Sequence, residues 1–363
     1  MTDHAETHSS TSSPGFNFMA TLFETAQRAG PVAVAVGLSM IVGAGLILAA
    51  GVNPLLAYWT IVTGALGGSY ELTLTLRYFV PLALAGLAVA VPLRAGLFNT
   101  GGEGQLIAGA IAATGIAILF PAPIYVQLPM AIVAGIIGGA AWGALAGLLR
   151  AKRDANEVLT TIMLNFVAAF LCQYLARGPW KDPTQPIAIT KNFPRSAVLP
   201  NLNFGFQVNS SLLLLFAAAL FFVFYIDKGK LGFALKVVGA DKKVALLAGI
   251  SISGTLIGAM AIGGALAGLA GAVEVLAVQR NLFSTFSPGY GFAGVGIALL
   301  GRHRLGGVIF AALFFAILYN GTSVLNRTMA VPSSIAQCLV ALPVIFIAVH
   351  LAGSAMRKAK PNV

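Results

Sequence analysis

Apolar runs of roughly membrane-helix length recur along almost the whole chain, separated by short polar breaks. They cover residues 30–50, 79–94, 105–121, 126–149, 158–176, 210–226, 253–277, 286–301, 306–325 and 333–351. A helix needs about 20 mostly apolar residues to cross the hydrocarbon core, and somewhat fewer where it is interrupted and sheltered by protein. The pattern therefore predicts an all-α polytopic transmembrane bundle of about ten spans, some of them short or broken, with both chain ends on one side. The least regular run is 286–301, whose glycines at 289, 291, 294 and 296 suit a re-entrant hairpin as well as a crossing. Residues 30–356 form one transmembrane domain, between an N-terminal segment 1–29 and a basic tail 357–363.

The start of the chain does not read as an export signal. Met1 to Pro14 is rich in Ser and Thr, carries Asp3 and Glu6, and lacks the basic start that a signal peptide needs. It reads as a tail. Residues 16–28 place Phe16, Met19, Leu22 and Phe23 at helical spacing, which fits either a short helix on the membrane surface or an extension of the first span.

Composition agrees with the pattern. Of 363 residues 58% are hydrophobic and 9% charged, with mean hydropathy +0.88, where soluble domains carry about 25% charged residues. The basic residues then orient the bundle, because retained loops carry the Lys/Arg excess. With the N-terminus inside, the cytoplasmic set is Arg28, Arg94, Arg150, Lys152, Arg153, Lys228, Lys230, Lys236, Lys242, Lys243, Arg302, Arg304, Arg357, Lys358 and Lys360. Only Arg77, Arg177, Lys181, Lys191, Arg195, Arg280 and Arg327 face outward. The net charge of +11 is scattered over short loops with no continuous patch, so it is no argument for nucleic acid. Cys172 and Cys338 lie in separate apolar runs and point to neither a disulfide framework nor a zinc site. Small residues at close-packing intervals (Gly139, Gly143 and Gly147; Gly254 and Gly258; Gly264 and Gly268) fit helix contact inside the bundle or with a second membrane subunit.

Three places carry chemistry that a membrane segment would not keep for nothing. The first is Gly96 to Gln105, GLFNTGGEGQ, where Asn99, Glu103 and Gln105 stand beside glycines that free the backbone from a regular helix. A carboxylate at bilayer depth costs roughly 2.5–3.5 kcal/mol on insertion scales, so something must offset it. Broken helices beside a cavity offer amides and carbonyls to a polar solute; alternatively Glu103 pairs with Arg94 or caps the following helix. The second is Asp154 to Asn165. Asp154 and Glu157 read as a capping box, and Glu157, Thr161 and Asn165 make one polar stripe about 12 Å long, which lines a path or locks onto a neighbouring helix. The third is the loop 227–252. There Asp241 can cap a short helix that presents Val244, Ala245, Leu247 and Ala248, with Gly249 ending it. A water-exposed helix with an apolar face seats on a partner or on its own bundle. The chain lacks a G-x-x-x-x-G-K-[ST] phosphate cradle and the paired acids or His clusters of membrane hydrolases, so it reads as a non-enzyme.

In this order, GLFNTGGEGQ, NEVLTTIMLN, VGADKKVALLAGI and PGYGFAGVGIALLG resemble the permease subunit of a bacterial ABC importer of the branched-chain amino acid and simple-sugar permease superfamily. The first two are most similar to the nucleoside-import branch, and Gly51 to Tyr58 resembles the first of the two non-identical permeases such systems pair. The resemblance covers nearly the whole chain from about residue 30. Thr100 and Gly102 stand where the family often has Ile and Ala, Asp241-Lys242 replaces a common Asn-Pro, and His303-Arg304 occupies a turn usually richer in Asn and Pro.

The resemblance implies a type II importer permease fold in the bacterial cytoplasmic (inner) membrane, with both termini cytoplasmic. It implies three partners: an ATP-binding cassette ATPase, a second homologous permease, and an extracytoplasmic solute-binding protein of the basic membrane lipoprotein type docking on the loop 177–209. This chain holds no cofactor; ATP-Mg belongs to the ATPase. Asn99, Glu103, Gln105, Thr161 and Asn165 would line the nucleoside path. Asp241, Val244, Ala245, Leu247, Ala248 and Gly249 would form the coupling helix. Import of simple sugars or branched-chain amino acids is the alternative within the class, and an ion-coupled secondary transporter or a membrane scaffold the alternatives outside it.

Overall fold

The computed structural model describes residues 18–203, 207–286 and 289–359. The tail 1–14 and residues 360–363 of the basic tail lie outside the described residues. All ten predicted runs fall on helices. The chain opens with α1 (Phe18–Ala49), one continuous helix, so residues from Phe18 to Arg28 extend the first span. Its end at Gly51 is followed by Asn53, whose side chain accepts from the Leu55 amide and, with Pro54 at the first helical position, starts α2 (Pro54–Leu66). The two helices meet at 111°. The apolar pattern had left 51–66 without an element and begun the next span at 79, whereas α3 runs from Ser69 to Arg94. Its first turns carry Glu71 and Arg77, and these masked the helix from hydropathy alone.

Next come α4 (Gly102–Leu119), α5 (Ile124–Arg153), α6 (Glu157–Arg177) and α7 (Ser211–Phe221), which widens into a π-helical turn over Phe222–Asp227. The amphipathic α8 (Lys230–Ala240) leaves that turn at 60°, and α9 (Lys242–Leu247) follows it. The remaining helices are α10 (Ile252–Val273, with a π-helical turn Glu274–Gln279), α11 (Tyr290–Leu300), α12 (Leu305–Met329) and α13 (Ser333–Ala359). Six described helices are long and apolar enough to cross a membrane, or up to eight when each bent pair counts as one span.

The short α11 explains the irregular run 286–301. Eleven residues rise about 16 Å, half the hydrocarbon thickness. The chain enters this segment from the face that carries the loop 177–209, where Ile189 bridges Phe283 and the Thr190 amide donates to Leu282. It leaves at the opposite face, where the His303 carbonyl meets Arg94. The segment thus passes from one face to the other, and the described helix accounts for only about half of that distance. On the first face, strands β1 (Asn201–Asn203) and β2 (Gln207–Asn209) pair as an antiparallel hairpin. The second face collects Arg94, Arg150, α8 and α9, and is called here the basic face.

Small residues set the centre of the bundle. Gly139 and Gly143 of α5 lie directly on Gly264 and Gly268 of α10, and a Cβ on Gly139 would run into the Gly264 carbonyl. In lipid, where there is no apolar driving force between helices, such backbone proximity supplies the van der Waals contact that holds them. Gly258, on the same helix, faces open space. Gly139→Ala is therefore expected to destabilise the bundle by about 1–3 kcal/mol and lower its thermal midpoint in detergent. Gly258→Ala should leave the midpoint unchanged.

Candidate functional site

The break after α3, with the first turn of α4, folds into a buried polar knot. After Leu97 closes a turn on Pro92, the chain climbs back into the bundle without helical bonds until α4 begins at Gly102. Asn99 and Gln105 face each other through both side-chain amides, at 3.0 and 3.1 Å, and Asn99 Oδ1 also accepts from the Gly101 amide at 3.1 Å. Asn165, two turns into α6, accepts from the Gly104 amide at 2.8 Å and donates to the Thr100 carbonyl at 3.0 Å. The Thr161 hydroxyl lies 2.7 Å from that of Thr100 and donates to the Glu157 carbonyl. Glu103 Oε2 accepts from the Gly291 amide at 2.8 Å, so the N-terminus of α4 meets that of α11. The two backbones touch there, and a Cβ on Gly291 would overlap Glu103 itself. All five sequence candidates are at most 7% exposed.

Two local expectations need correcting. Arg94 pairs with Asp227, at 2.7 Å. Asp154 does not cap α6: it sits in the left-handed region at φ 49° and pairs with Arg150, while Asn156 accepts from the Val158 and Leu159 amides. Asn156, directly before the helix, is the residue placed to reach the free amides, and Glu157 joins Arg150 instead, at 3.2 Å.

Arg94 is the hub of the basic face. Its guanidinium donates to the carbonyls of Ile226 and His303 and stacks over Phe222, 4.7 Å from the ring centroid. It thereby ties the end of α3 to the end of α7 and to the α11–α12 turn. Helix α8 rests on the same point, since a Cβ on Gly239 would strike the Arg94 carbonyl. Asp241 accepts from the Lys243 amide and starts α9, and Gly249, at φ 70°, ends the turn. Of the short helix's apolar residues, Ala245 is fully buried against the bundle, whereas Val244, Leu246, Leu247 and Ala248 are exposed, Leu247 by 90%. The free face is thus 244, 246, 247 and 248, with Leu246 in place of Ala245.

The cavity was not foreseen from the motifs. A hollow of about 770 Å³ opens between α3, α11, α12 and α13, with Tyr78, Tyr290 and Tyr319 on one side and Asn326, Ser333 and Gln337 among its other lining residues. Tyr78 and Tyr319 stack at 5.8 Å, and Tyr290 meets both edge-on. Three tyrosines in or beside apolar runs were the available signal, yet they are 212 and 29 positions apart and only the fold assembles them.

Residues 71–349 match the family described as branched-chain amino acid transport system, permease component. The chain belongs to this permease family. It is 36% identical to the glucose ABC transporter permease of Haloferax volcanii, over 85% of this chain and 84% of that protein. It is 32% identical to the guanosine ABC transporter permease of Bacillus subtilis, over 87% and 91%, and 33% identical to a nucleoside ABC transporter permease of Lactococcus lactis subsp. cremoris, over 87% and 89%. No solved structure matches. As a permease component the chain is the multi-pass membrane part of its system and not an enzyme; the ATPase and the solute-binding protein are separate subunits.

Two outcomes follow for this permease. Asn165→Leu strips partners from the buried Gly104 amide and Thr100 carbonyl, each worth about 1–3 kcal/mol when left unmade, and should lower the thermal midpoint by several degrees; an unchanged midpoint would show that the knot is not holding the break. At the hub, burial pushes the His303 imidazole below its ordinary 6.5, and the Arg94 cation adds to the effect. Neutral His303 therefore contributes stability that is complete above pH 6.5 and is lost as pH falls through the depressed folded value. Melting curves from pH 7.5 down to 5 should show this loss, and His303→Gln should reduce it.

Proposed function

We propose that this permease moves nucleosides inward across the cytoplasmic membrane, driven by ATP-Mg in a partner ATPase. The observation that carries the reading is the agreement of the nucleoside-branch motifs GLFNTGGEGQ and NEVLTTIMLN with 32–33% identity to guanosine and nucleoside permeases over 87% of the chain. The basic face is cytoplasmic, in keeping with its Lys/Arg excess. The loop 177–209 with its hairpin receives a binding protein of the basic membrane lipoprotein type, and a second homologous permease completes the pathway.

In this reading the exposed apolar face of α9 seats in the ATPase. Its push reaches α8, and from Gly239 the end of α3 and the break beyond it. Asn99, Glu103, Gln105, Thr161 and Asn165 then line the path in the conformation where their mutual bonds have been exchanged for solute. What supports this is their convergence at the meeting point of two helix N-termini, the place where half-helices in transporters present amides to polar cargo. The identity to a glucose permease favours a second reading, sugar import by the same machinery.

Proteoliposomes holding the copurified complex, with ATP enclosed, binding protein outside and ion gradients abolished, are expected to accumulate labelled adenosine and not glucose. Glucose accumulation alone would transfer the assignment to sugars, and uptake that needs an ion gradient but no ATPase would make the chain a secondary transporter. Leu247→Glu places a charge on the free face without touching the core. It should cut ATP-dependent uptake at least tenfold and weaken ATPase copurification, while the permease keeps its thermal midpoint.

A further inference from the structure

The cavity between α3, α11, α12 and α13 adjoins the polar knot at α11: Glu103 holds the Gly291 amide, and the neighbouring Tyr290 stands in the cavity wall. Its depth follows from the helices. Tyr78 is nine residues from the start of α3 and Tyr319 ten residues from the end of α12, both about 14–15 Å below the outer face at the usual rise. Ser333 and Gln337 belong to the first turns of α13, at that outer face. The hollow therefore has a polar mouth outside and an aromatic floor near mid-membrane, directly at the N-terminus of the half-helix α11.

At the floor, Tyr78 and Tyr319 lie nearly parallel, 24° apart, with the buried Tyr290 edge-on to both. Among the described residues, the three tyrosine hydroxyls and the Gln337 amide make no hydrogen bond. At the mouth, Asn326 donates to the Val331 carbonyl, which leaves its side-chain oxygen open. A volume of about 770 Å³ is within the usual range of roughly 300–1,000 Å³ for small-molecule sites. Stacking on tyrosine rings accepts any flat base, because every base has a π-face.

We infer that this cavity is the solute compartment of the chain, with the tyrosine floor stacking the base of a nucleoside and the Asn326–Gln337 mouth hydrogen-bonding its ribose. The inference rests on the nucleoside reading and adds to it where the solute waits. It also accounts for a floor of three aromatic rings at a depth where aliphatic packing would suffice.

The test uses the complete complex with saturating, loaded binding protein. Tyr78→Leu and Tyr319→Leu keep an apolar side chain but no ring, and each should lower ATP-driven adenosine uptake at least tenfold, the size of loss a single base–aromatic contact carries. Tyr78→Phe and Tyr319→Phe should stay within about threefold of the parent, since they keep the ring. Photolabelling of the unaltered complex with 8-azidoadenosine supplies a readout that needs no variant, and the label is expected on Tyr78, Tyr290, Tyr319 or their neighbours on α12 and α13. Wild-type adenosine uptake with folded, fully active Leu variants, or label confined to other helices, would overturn the cavity assignment alone. A wild-type complex that imports glucose and refuses adenosine would overturn the nucleoside reading and the inference together.

Discussion

Inside a bilayer no water is available to satisfy a free amide, and the whole arrangement hangs on how two helix N-termini are satisfied there. Both α4 and α11 begin within the bundle, so each brings unpaired N–H groups to a place where leaving them unmade costs several kcal/mol. Glu103 supplies an acceptor to α11 through Gly291, and Asn165 one to α4 through Gly104. A carboxylate is the fitting partner for the positive end of a helix, and here that interaction offsets part of the cost of carrying Glu103 into the bundle. These side chains are what lets each helix start within the bundle, and Tyr290 in the cavity wall stands at the start of α11.

The same contacts make a continuous line from one face to the middle. Helix α8 touches the end of α3 at Gly239, where Arg94 gathers α3, α7 and the α11–α12 turn. The break that follows leads to Glu103, Glu103 to Gly291, and Gly291 to Tyr290 in the cavity wall. The links are close backbone contacts, a short hydrogen bond and the chain itself, so the basic face and α11 belong to one packed unit. Helix α11 is also anchored at both ends, by Glu103 above and by the turn at His303 below.

Much of this was legible in the sequence, for identifiable reasons. Ten helices announced themselves through apolar length, and the break at 96–105 through glycines crowded around Asn, Glu and Gln. The partners inside the knot were not legible, because Glu103 to Gly291 spans 188 positions and pairing depends on how the bundle folds. Helix α2 escaped because Gly51, Asn53 and Pro54 look like a loop from composition, although together they are a helix end and a helix start. Ala245 was assigned to the free face of α9 by periodicity alone; only the packing of α9 on α8 and α10 shows that its methyl points inward.

The division between knot and cavity bears on how one permease architecture can serve different solutes. In the knot the amides of Asn99, Gln105 and Asn165 are engaged with one another or with backbone, and each replacement there would expose a buried donor or acceptor. The cavity lining is under less constraint: among the described residues several of its polar groups have no hydrogen-bond partner, and its tyrosines contribute mainly surface. Residues whose hydrogen bonds hold the fold resist change, whereas residues facing a hollow can vary at little cost to stability. A chain comparably identical to a glucose permease and to two permeases for nucleosides is what such a division allows, with a shared buried break beside a hollow whose walls are free to differ.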